Sequence, residues 1–140
     1  MTQTTPETAA ETAAVHALVD QLEVAWSEHD AKKFADLFAL EGTVVLPGDI
    51  LLDGRGHIQG FMTQAYQGPY KGTNVTGRPL VTHFHGENTA VMVTEGGVLA
   101  PGETEVAPQR AIRATWVAVK NNGQWLLASY QNSPLNVPTA

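Results

Sequence analysis

The sequence contains no cysteine among its 140 residues. This absence excludes disulfide bonds, thiolate nucleophiles and cysteine-based metal sites. No segment approaches the roughly 20 consecutive apolar residues that a membrane-spanning helix needs. The N-terminus also lacks the basic and apolar regions of a secretory signal. We therefore expect a cytoplasmic protein that does not enter a membrane.

Positive charge is also scarce. The chain has 8 Lys and Arg residues against 14 Asp and Glu residues, which gives a net charge of −6 at pH 7. A protein of this charge is not attracted to the phosphates of nucleic acid or to anionic lipid surfaces. The sequence therefore predicts neither nucleic acid nor a membrane surface as a partner.

The strongest local pattern is a β-hairpin that spans residues 110–132. Two β-prone runs flank Asn122 and Gly123. Asn-Gly is the preferred pair for a two-residue type I′ turn, because both central residues must adopt positive φ. The pattern therefore predicts that these two residues form the turn and set the pairing of the two strands.

Side chains alternate between the two faces of this hairpin. Regular pairing from the turn places Trp116 opposite Ser129. Trp116 and Gln131 then share the face that we expect to be the inner one, whereas Tyr130 and Asn132 point the other way. Both faces are apolar near the turn, which is unusual for a sheet with one solvated face. We therefore expect helices on one face and a second subunit, in a homodimer, on the other.

The rest of the chain reads as one domain over residues 1–140, with a core at about 8–136. Helical patterns cover residues 7–29, 31–40 and 57–67, and the chain is β-rich after residue 73. In the first helix Val19 and Trp26 belong to the apolar stripe, and Glu23 is assigned to the solvated face. Asp30 is interpreted as the N-cap of the second helix. This segregated order predicts an α+β fold whose helices and curved antiparallel sheet enclose a pocket.

Several segments resemble the NTF2-like superfamily in its SnoaL-like branch. They are AW at 25–26, HDAKKFADLFA at 29–39, TVVLP at 43–47, GRGHI at 54–58 and NNGQWLLASYQNSPLN at 121–136. The last segment is similar to the SgcJ/EcaC type, whose members occur in enediyne gene clusters. The resemblance implies an NTF2-like cone, in which three N-terminal helices pack on a strongly curved antiparallel β-sheet.

The resemblance also implies a role in natural-product biosynthesis. One expectation is a small-molecule binding protein or a cofactor-free cyclase or isomerase that acts on an apolar polyketide intermediate, such as a polyene or enediyne core. The alternative is a non-catalytic accessory protein that docks and stabilises a polyketide synthase or another biosynthetic enzyme. The sequence has no nucleophile elbow, which disfavours an unrelated hydrolase. We expect no cofactor and no metal, and both functional alternatives stay open.

Cofactor-free catalysis in this fold needs a general base inside the pocket. His83 and His85 are the candidates, since they lie one residue apart on one strand and share a face; a partly exposed pair is the alternative. Asp49, Asp53 and Glu95 are acidic alternatives. Large apolar side chains are expected to line the pocket, and a few polar groups are expected to orient the ligand. The predicted lining residues are Trp26, Phe34, Phe38, Phe61, Met62, Trp116 and Gln131. Tyr130 and Asn132 are also ligand-binding candidates: they lie at the dimer interface if the face assignment holds, and at the pocket mouth if it is reversed.

Overall fold

The computed structural model describes residues 6–136, and their side chains from residue 8 onward. The helices are α1 (Pro6–Ser27), α2 (Ala31–Ala35) and α3 (Arg55–Gln67). The strands are β1 (Phe38–Leu46), β2 (Ile50–Asp53), β3 (Asn74–Phe84), β4 (Thr89–Leu99), β5 (Ala111–Asn121) and β6 (Gln124–Pro134). A short 3-10 turn at Pro108–Arg110 precedes β5. The predicted α+β class is confirmed, with α3 following the hairpin of β1 and β2.

All six strands form one curved sheet in the order β2-β1-β6-β5-β4-β3. Every neighbouring pair is antiparallel except β1 and β6, which run parallel. The expectation of a wholly antiparallel sheet is therefore wrong at this one pair. The apolar core lies between the helices and one face of the sheet, which we call the inner face.

The second helix is shorter than its sequence pattern predicts. Asp30 caps it as expected, because its Oδ1 accepts a hydrogen bond of 3.0 Å from the Lys33 backbone N–H. The helix ends at Ala35, and Phe38 already belongs to β1. The apolar residues that look helical by spacing are instead divided between a short helix and the strand that follows it.

The predicted hairpin turn is confirmed. Asn122 and Gly123 have φ values of 51° and 78°, as a type I′ turn requires, and Asn121 pairs with Gln124 on either side of them. The turn chemistry therefore sets the register next to the turn, where Lys120 pairs with Trp125.

The pairing changes further along the hairpin because β6 contains a β-bulge. Ala118 pairs with Leu127, but Val117 pairs with Ser129, so Ala128 is an extra residue. One extra residue reverses the alternation of the side chains that follow it. Trp116 is consequently opposite Tyr130, and the prediction that it lies opposite Ser129 is wrong.

The backbone of Gly123 provides a direct test of the turn. A Cβ added at Gly123 meets nothing within 4 Å, and the same is true of Gly60 in α3. The two sites differ in that only Gly123 has a positive φ. We expect Gly123→Ala to destabilise the fold by roughly 1–2 kcal/mol, the cost of a left-handed L-residue. Gly60→Ala should instead stabilise it by about 0.5–1 kcal/mol, because alanine favours helix. Urea unfolding of both variants measures the difference, and equal effects would contradict the assigned turn.

Candidate ligand-binding site

A cavity of about 100 Å³ lies between the helices and the inner face of the sheet. Its wall is mostly apolar and includes Leu22, Val44, Leu52, Met62 and Ile112. Among the described residues that line it there is no lysine, arginine or histidine. The cavity therefore favours a neutral ligand with a mainly apolar body.

Two tryptophans give the cavity flat aromatic walls. The Trp26 Nε1–H donates to Thr73 Oγ1 at 3.0 Å, and the Trp116 Nε1–H donates to Thr94 Oγ1 at 2.9 Å. Buried indole N–H groups require a partner, and both have one within the protein. The rings therefore offer apolar surface to a ligand without leaving an unpaired donor.

Tyr130 and Asn132 form a polar pair in the wall that β6 provides. Asn132 Nδ2–H donates to the Tyr130 hydroxyl oxygen at 3.0 Å, and the Tyr130 ring meets Trp116 edge-on at 5.1 Å. Burial raises the pKa of Tyr130 to about 12, although the Asn132 hydrogen bond opposes this rise. The phenol therefore stays protonated at neutral pH. Since its oxygen already accepts a hydrogen bond, its proton is free to be donated to a ligand.

Glu23 is the carboxyl group on the cavity wall. Its side chain is half-buried, and its Oε2 accepts a hydrogen bond of 2.9 Å from the Gly77 backbone N–H. Burial raises the pKa of Glu23, the Gly77 hydrogen bond lowers it, and the charge of Asp20 adds to the rise. A carboxyl with a raised pKa in an apolar cavity is suited to accept and return a proton.

Tyr70 adds a second phenol to the wall from the loop that follows α3. Its ring lies 4.6 Å from that of Trp26, and burial raises the pKa of its hydroxyl. The negative charge that Tyr70 carries only as a phenolate also contributes to the raised pKa of Tyr130. Two protonated phenols, which can donate hydrogen bonds, and one carboxyl, which can exchange a proton, therefore face this apolar cavity.

The family model of the SnoaL-like domain matches residues 7–131. The chain belongs to the SnoaL-like family. No curated protein matches it. A domain of unknown function with a cystatin-like fold from Nostoc punctiforme is similar at 26% identity and a TM-score of 0.84, covering 93% of this chain and 80% of that chain.

Two further solved structures share the fold. An NTF2-like protein with a cystatin-like fold from Novosphingobium aromaticivorans is 15% identical, with a TM-score of 0.79 and coverage of 98% and 94% of the two chains. A putative calcium/calmodulin-dependent protein kinase type II association domain from Thiobacillus denitrificans is 16% identical, with a TM-score of 0.74 and coverage of 86% and 94%. Identities this low establish the fold of the SnoaL-like domain and not its chemistry.

Most of the residues predicted from the sequence do lie on the wall of the SnoaL-like cavity. They are Trp26, Phe34, Met62, Trp116, Tyr130 and Asn132. Phe38 and Phe61 are not part of the wall. Phe38 is fully buried in the core, and Phe61 is a half-buried residue packed against it. The helical spacing identified apolar residues correctly but did not separate cavity wall from core.

Gln131 does not face the SnoaL-like cavity. It is exposed, whereas Tyr130 and Asn132 are on the inner side. The bulge at Ala128 explains why Tyr130 and not Gln131 faces the cavity. It reverses the alternation of side chains that otherwise puts Gln131 on the inner face. The expectation that Gln131 orients a ligand is corrected accordingly.

His83 and His85 are likewise outside the cavity. Both side chains are exposed, on and just after the edge strand β3. Their neighbour Thr82 faces inward, where its Oγ1 lies 3.0 Å from the Nε2 of His16. Alternation along the strand therefore turns both candidate bases outward. They do not have the position that a general base in this cavity requires.

The acidic alternatives are also outside. Asp49 and Asp53 are exposed, and Glu95 forms ion pairs with Arg78 and Arg113. Glu23 was missed because a carboxylate next to an apolar stripe is normally assigned to the solvated face. Its spacing did contain the signal, since Val19 and Trp26 lie four residues before it and three after it on the same helical face.

Metal-ligand clusters and membrane-spanning helices are both absent from the part of the chain that the structure describes. Within residues 6–136, no three His, Asp or Glu side chains are grouped so that they could hold a metal ion. No helix in the same part of the chain has the length and apolar character needed to cross a membrane.

Proposed function

We propose that this SnoaL-like domain binds a small apolar carbonyl compound and transfers a proton on it without a cofactor, as an isomerase or a cyclase. The observation that carries the proposal is Glu23, a carboxyl with a raised pKa on the wall of a cavity that also holds the phenol of Tyr130. A base and a hydrogen-bond donor in one apolar cavity are what enolisation requires.

The proposed reaction assigns a role to each group. The ionised Glu23 carboxylate removes a proton from the carbon next to the carbonyl group. Tyr130 donates its hydroxyl proton in a hydrogen bond to the carbonyl oxygen, which gains negative charge as the enolate forms. Asn132 holds the phenol in place. Glu23 then returns the proton to another carbon. Alternatively, the enolate carbon attacks a second carbonyl within the ligand and closes a ring, and the proton on Glu23 passes to the alkoxide oxygen that this attack forms.

The cavity volume limits how much of a ligand can be enclosed. This cavity measures about 100 Å³, less than the apolar cavity of about 150 Å³ that accommodates benzene, so a ring-sized ligand fits if it extends partly out of the cavity or displaces wall side chains. The resemblance to the SgcJ/EcaC type adds the proposal that the ligand is a polyketide intermediate of the polyene or enediyne kind. In that case one ring or one folded end of the molecule occupies the cavity while the remainder extends from it.

Binding of acetophenone, a single ring with one carbonyl, tests the proposed donor. We expect Tyr130→Phe to weaken its binding roughly 3- to 10-fold, the amount expected for one lost hydrogen bond. NMR titration measures the affinity. The matched control is Tyr66→Phe, which removes a buried hydroxyl that is not on the cavity wall and should leave the affinity unchanged. Equal affinities of wild type and Tyr130→Phe would contradict the donor role.

The outer face of the sheet supports a second proposal, that the protein is a homodimer. Apolar side chains continue across this face, including Leu51, Val45, Val93 and Val81, along paired positions of neighbouring strands. Leu51 is 61% exposed and Val81 is 48% exposed. A second copy would cover this apolar surface through a two-fold contact. A polyketide synthase or another biosynthetic enzyme is the alternative partner for the same face.

A pair of valine substitutions tests the dimer. Val81 on the outer face and Val24 on α1 are 48% and 47% exposed. We expect Val81→Arg to shift the protein towards a monomer in analytical ultracentrifugation at micromolar concentration, because it places a charge in the interface. Val24→Arg should leave the sedimentation coefficient of the dimer unchanged. A monomeric wild type would overturn the homodimer and favour the accessory role.

A further inference from the structure

Three unusual features meet where α1 turns into α2. His29 has a φ of 52°, a left-handed conformation that is uncommon outside glycine. Its Nε2 lies 3.1 Å from both the Tyr70 carbonyl oxygen and the Gly72 backbone nitrogen. The hydroxyl of Tyr66, whose ring is 4.9 Å from the imidazole, is buried without a hydrogen-bond partner. Strained and unpaired groups tend to collect where a structure performs a function.

The imidazole holds the loop that carries Tyr70, residues 68–73, which we call the Tyr70 loop. The Tyr70 carbonyl oxygen already accepts hydrogen bonds from the Thr73 backbone N–H at 3.1 Å and from the Thr73 hydroxyl at 2.6 Å. A carbonyl oxygen has two lone pairs, so both are used. The productive contact of His29 Nε2 is therefore with Gly72, whose N–H donates to it.

The contact of the other ring nitrogen, Nδ1, is consistent with Nε2 being the acceptor. Nδ1 of His29 lies 3.4 Å from the Ser27 carbonyl oxygen, which only accepts hydrogen bonds. A proton on Nδ1 and none on Nε2 satisfies both sides of the ring. The hydrogen-bond partners thus select the neutral imidazole protonated at Nδ1.

A second proton on the imidazole breaks this arrangement. It places an N–H on Nε2 against the N–H of Gly72, while the nearby Tyr70 oxygen has no free lone pair. We propose that His29 is a positioning residue that holds Tyr70 on the cavity wall only while its imidazole is neutral, so that ligand binding weakens in acid. This inference rests on the proposed function for its ligand, but the loop movement itself does not depend on any ligand.

The charged groups around His29 are engaged elsewhere. On its own segment, Glu28 pairs with Lys33, and Asp30 accepts from the Lys33 backbone N–H. On α2, Lys32 pairs with Asp36.

From α3, Tyr66 contributes a neutral phenol, because burial raises its pKa. On the Tyr70 loop, burial likewise raises the pKa of Tyr70, and Lys71 is exposed. The imidazole is therefore the group in this cluster whose protonation acts directly on the Tyr70 loop, through its contact with Gly72.

Two substitutions separate the proposal from a purely structural role. In His29→Gln the amide oxygen can accept from Gly72 and does not titrate. In His29→Asn the positive φ is tolerated, but the shorter side chain does not reach the loop. His83→Gln is the matched control, because it removes an exposed histidine far from the cavity wall.

The first measurement is NMR of the protein without ligand from pH 8 to pH 5. We expect the Gly72 amide resonance to titrate together with the His29 ring in wild type and in His83→Gln. It should not titrate in His29→Gln. A Gly72 amide that does not follow the His29 ring overturns the proposal, whatever the cavity binds.

The second measurement is the affinity for acetophenone, which does not ionise in this range. We expect wild type and His83→Gln to lose roughly 3- to 10-fold between pH 8 and pH 5. His29→Gln should bind equally at both pH values, and His29→Asn should bind weakly at both. A wild-type loss that persists in His29→Gln overturns the coupling to binding. Failure of acetophenone to bind at any pH counts against the proposed function, and the Gly72 titration still decides the role of His29.

Discussion

Replacing Glu23 with Gln is expected to slow proton transfer on a ring-sized ketone by roughly 10²- to 10⁴-fold, the usual contribution of a general base. A suitable reaction is the conversion of cyclohex-3-enone to cyclohex-2-enone, followed by the ultraviolet absorbance of the conjugated product. In this reaction Glu23 takes a proton from the carbon between the carbonyl and the alkene and returns it to the far alkene carbon. An unchanged rate would remove Glu23 from the mechanism.

The pH dependence of that rate has a definite direction. Only the ionised carboxylate accepts a proton, so the rate rises with pH as Glu23 ionises. Burial raises the pKa of Glu23, which moves this rise to higher pH than for an ordinary glutamate. The charge of Asp20 contributes to the shift. Asp20→Asn should therefore retain the activity and move the rise to lower pH, which makes it the matched control for Glu23→Gln.

The stability of Glu23→Gln provides an independent check. A group whose pKa is raised by folding favours the folded state at low pH and loses this contribution as pH rises through the raised pKa. The ionised Glu23 is therefore a cost of folding near neutral pH, and glutamine can still accept from Gly77. We expect the variant to unfold at the same urea concentration as wild type or at a higher one. Lost activity in a less stable variant would indicate a structural role instead.

Phe38→Ala is expected to have the largest effect on stability, with a loss of about 3–5 kcal/mol. Phe38 is fully buried where α2 gives way to β1, and its ring lies 5.8 Å from that of Phe34. Because Phe38 is not on the cavity wall, Phe38→Leu should recover most of the stability and bind acetophenone normally.

Phe34 provides the contrast, since it is buried to a similar degree but lines the cavity. Phe34→Leu should weaken acetophenone binding as well as stability. Urea unfolding and NMR titration of the leucine variants separate the two roles. A loss below about 1 kcal/mol in Phe38→Ala would show that the core collapses around the missing ring, contrary to this expectation.

The parts of the structure that follow from local chemistry could be predicted from the sequence. The Asn122-Gly123 turn and the Asp30 cap depend on the residues themselves and on their immediate neighbours. The family resemblance supplied the arrangement of helices and sheet. Three of the five predicted lining residues on the helices, Trp26, Phe34 and Met62, lie on the cavity wall, because helical spacing identifies a buried face. Phe38 and Glu23 show the limit of helical spacing, because Phe38 was expected on the wall but lies in the core, and Glu23 was assigned to the solvated face but lies on the wall.

The remaining features depend on long-range packing. Nothing in ASYQN marks Ala128 as a bulge, yet this one residue decides that Tyr130 and not Gln131 faces the cavity. Similarly, the register of β3 determines which of its side chains face inward, and it turns His83 outward. The helical spacing of Glu23 is compatible with a place beside the apolar stripe, but the hydrogen bond that its carboxylate accepts from the Gly77 backbone on β3 connects it to the sheet. Each depends on a strand or helix distant in the sequence, so local patterns do not determine it.

The parallel contact between β1 and β6 also constrains how the chain folds. It joins Phe38 to Leu127 and Val45 to Gln131, residues roughly 90 positions apart, and such distant pairing slows folding. On the ribosome the hairpin of β1 and β2 emerges early, but its neighbour in the sheet, β6, is the last strand to emerge among those in residues 6–136. Until β6 is available, the edge of β1 that faces away from β2 has no partner strand. An unpaired edge of this kind is prone to association with other chains. Completion of the sheet, and with it of the cavity wall, must therefore wait for release of the C-terminal hairpin.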